Sequence, residues 1–331
     1  MSERPRILVT QRVPDAAYTL LEAVGEVDAN MEEGGRIWSP EELLQHAPGH
    51  DYIFCLLTDT IDERLLEVCS SALPGLKQVS IMAVGYNNTD IAAATRLGIA
   101  VTNTPGVLTD TSADLAFGLL LAVARRIPEA ERYMRAGKYT GWGPLLLCGT
   151  DVHSATLGII GAGRIGLAVA KRAQGFDMTV LYHNRKRLSQ QEEEQYGLIY
   201  TSLDELLQRS DFVSIHAPYT PETHHLISER EFALMKPSAM LINTARGPIV
   251  DEKALVQALQ NGQLAGAGLD VFEHEPHVEP ELLTMEQVVL VPHIASASLQ
   301  TRTLMATMAS ENIVAHIRGI RPPNIINAEV L

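Results

Sequence analysis

Residues 156–187 read TLGIIGAGRIGLAVAKRAQGFDMTVLYHNRKR, and this stretch decides the fold. A short apolar run leads into the spacing Gly-x-Gly-x-x-Gly, which is followed by an amphipathic helical pattern and a second apolar run. A glycine-rich turn of this spacing between a strand and a helix is typical of dinucleotide binding, whereas elsewhere it is only a turn. The stretch therefore predicts a Rossmann unit with a bound dinucleotide.

Each glycine of the motif has its own task in this prediction. Gly161 makes the tight turn, Gly163 lets the backbone approach a pyrophosphate, and Gly166 lets helix and strand pack closely. The anion would lie on the N–H groups at the helix N-terminus, where Arg164 and Ile165 stand.

The residues after the second apolar run indicate which dinucleotide is bound. An NAD site places an acidic residue there for the ribose 2′-hydroxyl, and this chain has His183-Asn184-Arg185-Lys186-Arg187 instead. Arg185 can meet a 2′-phosphate with a charge-assisted fork, and the Asn184 amide can donate a hydrogen bond. A solvated basic loop is the alternative. We predict NADPH as the cofactor, with NADH as a weaker alternative.

Composition excludes several other classes of protein. The chain has 331 residues, of which 46% are hydrophobic and 20% charged, and its net charge of −14 argues against a nucleic-acid surface. The three cysteines, Cys55, Cys69 and Cys148, lack metal-ligand spacing and suggest neither a zinc site nor a disulfide framework. With neither a secretory leader nor a membrane-spanning apolar run, a cytoplasmic enzyme is expected.

Strand and helix patterns alternate along the chain, which predicts an α/β fold of two doubly wound parallel-sheet domains. A flavodoxin-like substrate domain is expected at 1–103 with 299–331, and a Rossmann cofactor domain at 104–298. A long helix is predicted from Thr111 to about Ala136; its apolar half would bridge the domains or be buried against a partner subunit. The predicted strands are Arg6–Thr10, Tyr52–Leu57, Leu76–Ile81, Ile99–Thr102, Leu157–Ile160, Met178–Tyr182, Phe212–Ile215, Ala239–Ile242, Leu264–Leu269 and Val288–Val291.

Polar side chains follow the strands of the second domain at their carboxyl ends, where open α/β sheets bind ligands. The Arg246 fork suits a substrate carboxylate, although a structural ion pair is the competing interpretation. His293 has a possible orienting acid in Glu275, and that pairing suits the acid–base chemistry of carbonyl reduction. The full set is His216, Thr244, Arg246, Asp270, Glu275 and His293.

Several motifs in fixed order carry a family resemblance over nearly the whole chain. The segments GLDVFEHEP (268–276), NTARGPIVD (243–251) and Pro292-His293-Ile294 resemble the D-isomer-specific 2-hydroxyacid dehydrogenases. AVGYNN (83–88) and WGPLLLCGT (142–150) narrow the resemblance to the glyoxylate/hydroxypyruvate and 2-ketogluconate reductase branch.

The resemblance implies roles for the residues that match the family's reaction centre. The histidine matching His293 is the general acid in reduction, and the glutamate matching Glu275 hydrogen-bonds to it and favours its charged form. The arginine matching Arg246 binds the substrate carboxylate and polarises the 2-oxo group. Backbone amides matching Val84 and Gly85 complete the carboxylate pocket.

Three further positions follow from the same resemblance. The aspartate matching Asp270 holds the nicotinamide carboxamide. A tryptophan like Trp142 reaches into the neighbouring subunit's site in a homodimer, although burial in a core is nearly as plausible from sequence. Ala295 replaces a glycine that is common in relatives after the His-Ile pair, and it would narrow the pocket.

The expected function is NADPH-dependent reduction of a small 2-oxo acid to the D-2-hydroxy acid, with the domains closing over the substrate. The sequence does not rank glyoxylate, hydroxypyruvate and 2-ketogluconate. Formate dehydrogenases have a glutamine where this chain has Glu275, so that class is disfavoured. A phosphoglycerate dehydrogenase is expected to have extra cations and often an added regulatory domain, and neither is seen in this sequence. A corepressor-like sensor of NAD(P) that is not an enzyme is the alternative, and the lack of a disordered recruiting arm disfavours it. No nucleic acid, membrane or metal partner is expected.

Overall fold

The computed structural model describes residues 4–31 and 35–331, and these form two compact units. The first unit comprises the described residues up to Leu108 together with Ala297–Leu331, and the second is Thr109–Ser296. The predicted domain boundaries, after residues 103 and 298, lie close to these. Which unit binds substrate and which binds cofactor stays a prediction at this point.

Twelve strands and twelve helices are formed by the described residues. The strands are β1 (Arg6–Val9), β2 (Glu26–Ala29), β3 (Tyr52–Cys55), β4 (Gln78–Ile81), β5 (Ala100–Thr102), β6 (Thr156–Ile160), β7 (Thr179–His183), β8 (Leu198–Tyr200), β9 (Phe212–Ile215), β10 (Met240–Asn243), β11 (Gly266–Leu269) and β12 (Val288–Leu290). The helices are α1 (Asp15–Glu22), α2 (Pro40–His46), α3 (Glu63–Ser71), α4 (Ile91–Arg96), α5 (Thr109–Ala124), α6 (Ile127–Arg135), α7 (Arg164–Gln174), α8 (Gln190–Tyr196), α9 (Leu203–Arg209), α10 (Glu229–Leu234), α11 (Glu252–Gln260) and α12 (Leu299–Ile317).

The first unit is built on a five-stranded parallel sheet of order β2-β1-β3-β4-β5. This is the order of flavodoxin-like folds. Apolar side chains on both sheet faces are buried, one set against α1 and α12 and the other against α2, α3 and α4. The central strands are buried along their whole length, as expected for a parallel sheet covered on both faces.

The second unit is built on a seven-stranded parallel sheet of order β12-β11-β10-β9-β6-β7-β8. Six of these strands repeat the Rossmann order, and β12 extends the sheet at one edge. Two buried apolar clusters fill its two faces. The α/β fold class with two doubly wound sheets is confirmed, and the carboxyl ends of β6, β9, β10, β11 and β12 set the position of the site.

The predicted long helix from Thr111 to Ala136 is wrong, because the structure has two helices there. α5 ends at Ala124, Arg126 takes a left-handed φ of 53°, and α6 begins at Ile127. Pro128 explains the break, because proline lacks an N–H and is tolerated only in the first turn of a helix.

The apolar half of α5 is buried within its own unit. Leu119, Leu120 and Val123 belong to the core cluster that covers one face of the seven-stranded sheet. The suggested bridge between domains, or burial of the remaining face of this helix in a partner subunit, stays a prediction. None of the helices described is long and apolar enough to span a bilayer.

Candidate active site

The glycine turn between β6 and α7 has three different environments. Gly161 has a φ of 95°, and a Cβ there would lie 2.4 Å from the Ala217 backbone nitrogen. A Cβ on Gly166 would lie 2.4 Å from the Gly161 carbonyl oxygen, so helix and strand are in close contact. At Gly163, by contrast, a Cβ would meet no heavy atom of the described chain within 4 Å apart from those of its immediate chain neighbours. The backbone at Gly163 is therefore open to a phosphate group, as the motif requires.

The N-terminus of α7 faces this opening without a side-chain cap. Gly163 is its N-cap residue and has no side chain to accept from the first-turn N–H groups, which belong to Arg164, Ile165 and Gly166. Uncapped N–H groups and the helix dipole attract an anion. The cradle thus fits the pyrophosphate of a dinucleotide.

Asn184 joins the glycine turn to the loop after β7. Its Oδ1 accepts a hydrogen bond from the Ala162 N–H at 2.7 Å, and its Nδ2 donates to the Ala162 carbonyl oxygen at 3.4 Å. These bonds hold the two loops together. The Nδ2 group has a second proton that these bonds do not use, so the predicted contact of Asn184 with a 2′-phosphate stays a prediction.

The two arginines of this loop differ in whether they are hydrogen-bonded to other side chains. The Arg187 guanidinium donates to both Glu193 carboxylate oxygens, at 2.7 and 2.8 Å, and lies 5.3 Å from the centre of the Tyr200 ring. The hydrogen bonds from Arg187 and from Tyr182 lower the pKa of Glu193 to about 2. Arg185 is exposed, and we find no hydrogen bond or ion pair between it and the residues described. Arg185 is thus the arginine that is available to a cofactor phosphate.

Two polar side chains lie at the ends of the central strands β9 and β10. Burial lowers the pKa of His216 to about 4, so the ring is neutral at neutral pH, and its Nε2 lies 2.8 Å from Ser214 Oγ. The Thr244 side-chain oxygen is buried and has no hydrogen-bond partner among the residues described. An orphaned hydroxyl is costly unless a ligand or water satisfies it, so Thr244 fits a site for a polar ligand group.

Asp270, at the end of β11, holds the turn that carries His293. Its two carboxylate oxygens accept hydrogen bonds from the backbone N–H groups of Ile294, at 2.6 Å, and Ala295, at 2.9 Å. Burial raises the pKa of Asp270, while these two bonds favour its charged form. Each carboxylate oxygen keeps a further lone pair, so Asp270 can still accept a hydrogen bond from a nicotinamide carboxamide. That contact stays a prediction.

His293 and Glu275 form the predicted pair. His293 Nδ1 lies 2.9 Å from Glu275 Oε2, and Glu275 Oε1 accepts from the Phe272 N–H at 3.1 Å. Because a carboxylate only accepts, Nδ1 carries the proton and donates it to this bond. The backbone of His293 is left-handed, with a φ of 52°, which is uncommon outside glycine and common near functional sites.

The charge state of Glu275 follows from its neighbours. Partial burial would raise the pKa of Glu275, but the hydrogen bond and charge of His293, together with the Phe272 N–H and the Arg246 charge, hold it below the ordinary value. Glu275 is therefore an anion at neutral pH and can accept the hydrogen bond from His293 Nδ1.

Arg246 follows β10 and lies close enough to Glu275 for their charges to interact. Burial lowers the pKa of its guanidinium, which stays charged, and its Nη1 donates to the Ala245 carbonyl oxygen at 2.7 Å. Gly247 explains the proximity, because a Cβ there would fall 1.8 Å from the Phe272 carbonyl oxygen. Only glycine lets the Arg246 loop lie directly against the segment that leads to Glu275.

The remaining predicted residues lie elsewhere. Val84 and Gly85 follow β4 in the first unit, where the Asn103 amide donates to the Val84 carbonyl oxygen at 2.8 Å. Trp142 lies in the loop after α6 and is 83% exposed, so it does not belong to the core of its own chain. The second unit alone thus unites Arg246, Asp270, Glu275 and His293.

This arrangement can donate a proton to a carbonyl oxygen as negative charge develops on that oxygen. The His293 ring presents Nε2 on the side away from Glu275, and Arg246 supplies a planar cation for a carboxylate. At the same edge of the sheet, after β6, is a cradle that fits a dinucleotide. Proton donor, anion holder and dinucleotide cradle are what the reduction of a carbonyl acid requires. Among the residues described, no group of three histidine, cysteine or acidic side chains is placed to hold a metal ion.

Comparisons with known proteins identify relatives with this architecture. Residues 117–295 match the model of the D-isomer specific 2-hydroxyacid dehydrogenase NAD binding domain. A glyoxylate reductase of Korarchaeum cryptofilum is 48% identical over 99% of this chain and 97% of its own length. A glyoxylate reductase of Thermococcus litoralis is 46% identical over 99% and 98% of the two chains.

A solved structure extends the similarity. The NADPH-dependent glyoxylate/hydroxypyruvate reductase of Sinorhizobium meliloti, in complex with NADP and malonate, superposes with a TM-score of 0.86. It is 33% identical, and the match covers 99% of this chain and 98% of the other.

Proposed function

The chain belongs to the D-isomer-specific 2-hydroxyacid dehydrogenase family, in its glyoxylate reductase branch, and on this basis we propose that it reduces glyoxylate, hydroxypyruvate or 2-ketogluconate with NADPH. The product is the D-2-hydroxy acid. The observation that carries the proposal is the His293–Glu275 hydrogen bond of 2.9 Å beside Arg246. The general activity, reduction of a 2-oxo acid by a nicotinamide-dependent dehydrogenase, agrees with the named relatives.

In the proposed mechanism, the Gly161–Gly166 turn and Arg185 would hold NADPH, which when bound would supply a hydride to C2 of the 2-oxo acid and become NADP⁺. Arg246 binds the substrate carboxylate and polarises the 2-oxo group. His293 Nε2 donates a proton to the carbonyl oxygen as negative charge develops there, and Glu275 holds Nδ1 and stabilises the imidazolium beforehand. One hydride and one proton convert the carbonyl to an alcohol and leave a neutral imidazole.

The supporting residues have the roles that family membership suggests. We assign the backbone amides of Val84 and Gly85 to the substrate carboxylate. Asp270, Thr244 and His216 are assigned to the nicotinamide end of the cofactor. The unsatisfied Thr244 hydroxyl and the neutral His216 ring support this assignment.

Cofactor preference is tested at Arg185. Arg185→Ala should raise the Kd and KM for NADPH about ten- to a hundredfold, because one charge-assisted hydrogen bond contributes about 1.5–3 kcal/mol. NADH, which lacks the 2′-phosphate, should bind as before. Fluorescence titration and steady-state kinetics with both cofactors measure the effect.

Lys186→Ala is the matched control, because it removes the same charge from the same exposed loop. It should change NADPH binding far less than Arg185→Ala. Equal weakening of NADPH and NADH by Arg185→Ala would refute the assignment of Arg185 to the 2′-phosphate.

The pH dependence is tested at Glu275. Because its pKa is held below the ordinary value, Glu275 is charged across the neutral range, and a carboxylate beside an imidazole favours the imidazolium. Glu275→Gln preserves the shape and removes the charge. The pH above which kcat/KM for reduction falls should therefore move about one unit lower.

Glu281→Gln, at an exposed position of the same segment, is the control and should leave the pH profile unchanged. If the Glu275→Gln profile overlaid that of the wild type, Glu275 would not be the partner that keeps His293 protonated.

Steady-state kinetics test the proposed function itself. Purified protein should oxidise NADPH with at least one of glyoxylate, hydroxypyruvate and 2-ketogluconate, and with higher kcat/KM than for NADH. The alternative, a sensor of NAD(P) that is not an enzyme, predicts tight NADPH binding without turnover of any of the three acids. That outcome would reject the enzymatic proposal.

We also propose a homodimer. Several large apolar side chains of α6 and the loop after it are exposed in the single chain, which is unusual for a solvated surface. They are Ile127, Met134, Tyr139, Trp142 and Leu145, which are 52%, 57%, 48%, 83% and 86% exposed. A second copy of the chain would cover them, with Trp142 bordering the partner's substrate pocket. The cytoplasmic location stays a prediction.

Sedimentation velocity tests this assembly. The protein should sediment as two chains of 36.1 kDa, and Leu145→Glu should shift it towards the single chain by burying a charge. Leu283→Glu, at an exposed position outside this segment, should leave the dimer intact. A wild-type monomer with full activity would contradict the dimer proposal.

A further inference from the structure

Glu252, the first residue of α11, has a carboxylate with no role in the mechanism so far. It is only 4% exposed. Its Oε1 accepts a hydrogen bond from the Glu273 N–H at 2.5 Å, and its Oε2 accepts one from the Glu279 N–H at 3.4 Å. One carboxylate therefore contacts the backbone at both ends of the segment 273–279.

The segment between those two contacts carries Glu275. Within it the His277 N–H donates to the His274 carbonyl oxygen at 2.8 Å, which closes a turn. Glu275 projects from this turn to His293 Nδ1 at 2.9 Å. The position of the Glu275 carboxylate thus depends on how the base of the turn is held.

The Glu273 side chain in turn accepts a hydrogen bond from the backbone of Glu252. Its Oε2 accepts from the Glu252 N–H at 3.2 Å, and its Oε1 lies 2.7 Å from His225 Nε2. The backbone N–H of His225 donates to the Pro248 carbonyl oxygen at 2.9 Å, in the loop that carries Arg246. The network therefore joins the loops of both Arg246 and Glu275.

A role as a simple helix cap does not account for Glu252. The cap of α11 is Asp251, whose Oδ1 accepts from the Ala254 N–H at 3.0 Å. Burial raises the pKa of Glu252, and the charges of Glu273 and Glu279 raise it further, while the two backbone bonds oppose this. Glutamate is seldom buried unless it is paired, so this site carries an energetic cost that needs a reason.

We propose that Glu252 and Glu273 are positioning residues of the reaction, because together they fix the base of the 273–279 turn and so hold the Glu275 carboxylate on His293. This inference rests on the proposed roles of Glu275 and His293 in 2-oxo acid reduction. Neither Glu252 nor Glu273 touches the substrate in this account. The effect of Glu252, which holds both ends of the turn, is transmitted through Glu275.

The test is the pH profile of kcat/KM for Glu252→Gln. A glutamine side chain keeps one acceptor oxygen, and its NH₂ group faces one of the two backbone donors, so one end of the turn is released. We expect kcat/KM at neutral pH to fall about ten- to a hundredfold, as for a small displacement of a catalytic group. The alkaline limb of the profile, which is the pH range in which kcat/KM falls, should move to lower pH, towards the alkaline limb of Glu275→Gln. The Kd for NADPH should be unchanged.

The double variant Glu252→Gln/Glu275→Gln separates positioning from a general loss of structure. If Glu252 acts through Glu275, the double variant should have the pH profile of Glu275→Gln alone, since coupled residues are not additive. Lys253→Gln is the control, because Lys253 is the next residue and is exposed, and it should behave as wild type. Should Glu252→Gln fail to fold, Glu273→Gln provides the same comparison from the other partner.

Two results would overturn the inference. One is a Glu252→Gln profile whose alkaline limb coincides with that of the wild type, and the other is a pH shift in the double variant that adds to the shift of Glu275→Gln. Failure of the proposed function would be recognised separately, because the wild-type protein would then reduce none of the three acids.

Discussion

Replacing His293 with alanine is expected to lower kcat for 2-oxo acid reduction by about 10²–10⁴-fold, because a positioned general acid contributes a factor of that size. The Kd for NADPH should stay near its wild-type value, since the cofactor is assigned to the Gly161–Gly166 turn and to Arg185. Steady-state kinetics and a fluorescence titration measure the two quantities on the same preparation.

His153→Ala is the control for this variant, because that ring is 71% exposed and forms no part of the proposed site. It should retain wild-type kcat. Near-normal turnover by His293→Ala would mean that another group delivers the proton, and the proposed mechanism would be incorrect.

Arg246→Ala should lower kcat/KM for the 2-oxo acid by about 10²–10⁴-fold. Two charge-assisted hydrogen bonds to the substrate are lost, and each contributes about 1.5–3 kcal/mol. Most of the loss should come from KM of the acid, whereas KM for NADPH should change little. The measurement is a substrate titration at saturating NADPH.

Arg246→Lys is the matched comparison, because it keeps the charge and loses the planar fork. An intermediate loss of about ten- to a hundredfold is expected. If Arg246→Lys were as active as the wild type, a point charge would suffice, and the bidentate contact proposed here would be ruled out.

The glycine motif and the strand ends were predictable because each depends on local sequence. Gly161, Gly163 and Gly166 have the environments that their spacing predicts, and the polar residues after β10, β11 and β12 do lie together. Parallel strands bring their carboxyl ends to one edge, so a correct strand assignment is enough to group the residues that follow.

Two edge strands escaped prediction for a physical reason. β2 (Glu26–Ala29) and β8 (Leu198–Tyr200) lie at outer edges of their sheets and are only partly buried. Edge strands are short and often polar, so neither shows the apolar run that identified the central strands. The break between α5 and α6 does have a sequence signal in Pro128, because proline is tolerated in the first turn of a helix and not in its interior.

The parts of the site that depend on tertiary contacts could not be read from sequence. The Asn184 amide is a residue type that can donate to a phosphate, and only its distances to Ala162 show that it also holds two loops together. Glu252 resembles an ordinary acidic residue in the first turn of a helix. Its contacts with Glu273 and Glu279, which lie at least 21 residues further along the chain, become visible only in the fold.

The central claim is hydride transfer from NADPH to C2 of a 2-oxo acid with protonation by the chain. The most direct measurement uses NADPH deuterated at C4, on each face in turn, with whichever of the three acids the protein turns over, and determines the label and configuration of the product. The account predicts the 2-hydroxy acid with deuterium at C2 from one of the two labelled faces, in an amount equal to the NADPH oxidised, and D-glycerate where the acid is hydroxypyruvate. The account would be contradicted by a product without deuterium whichever face of C4 is labelled, by formation of L-glycerate, or by no oxidation of NADPH with any of the three acids.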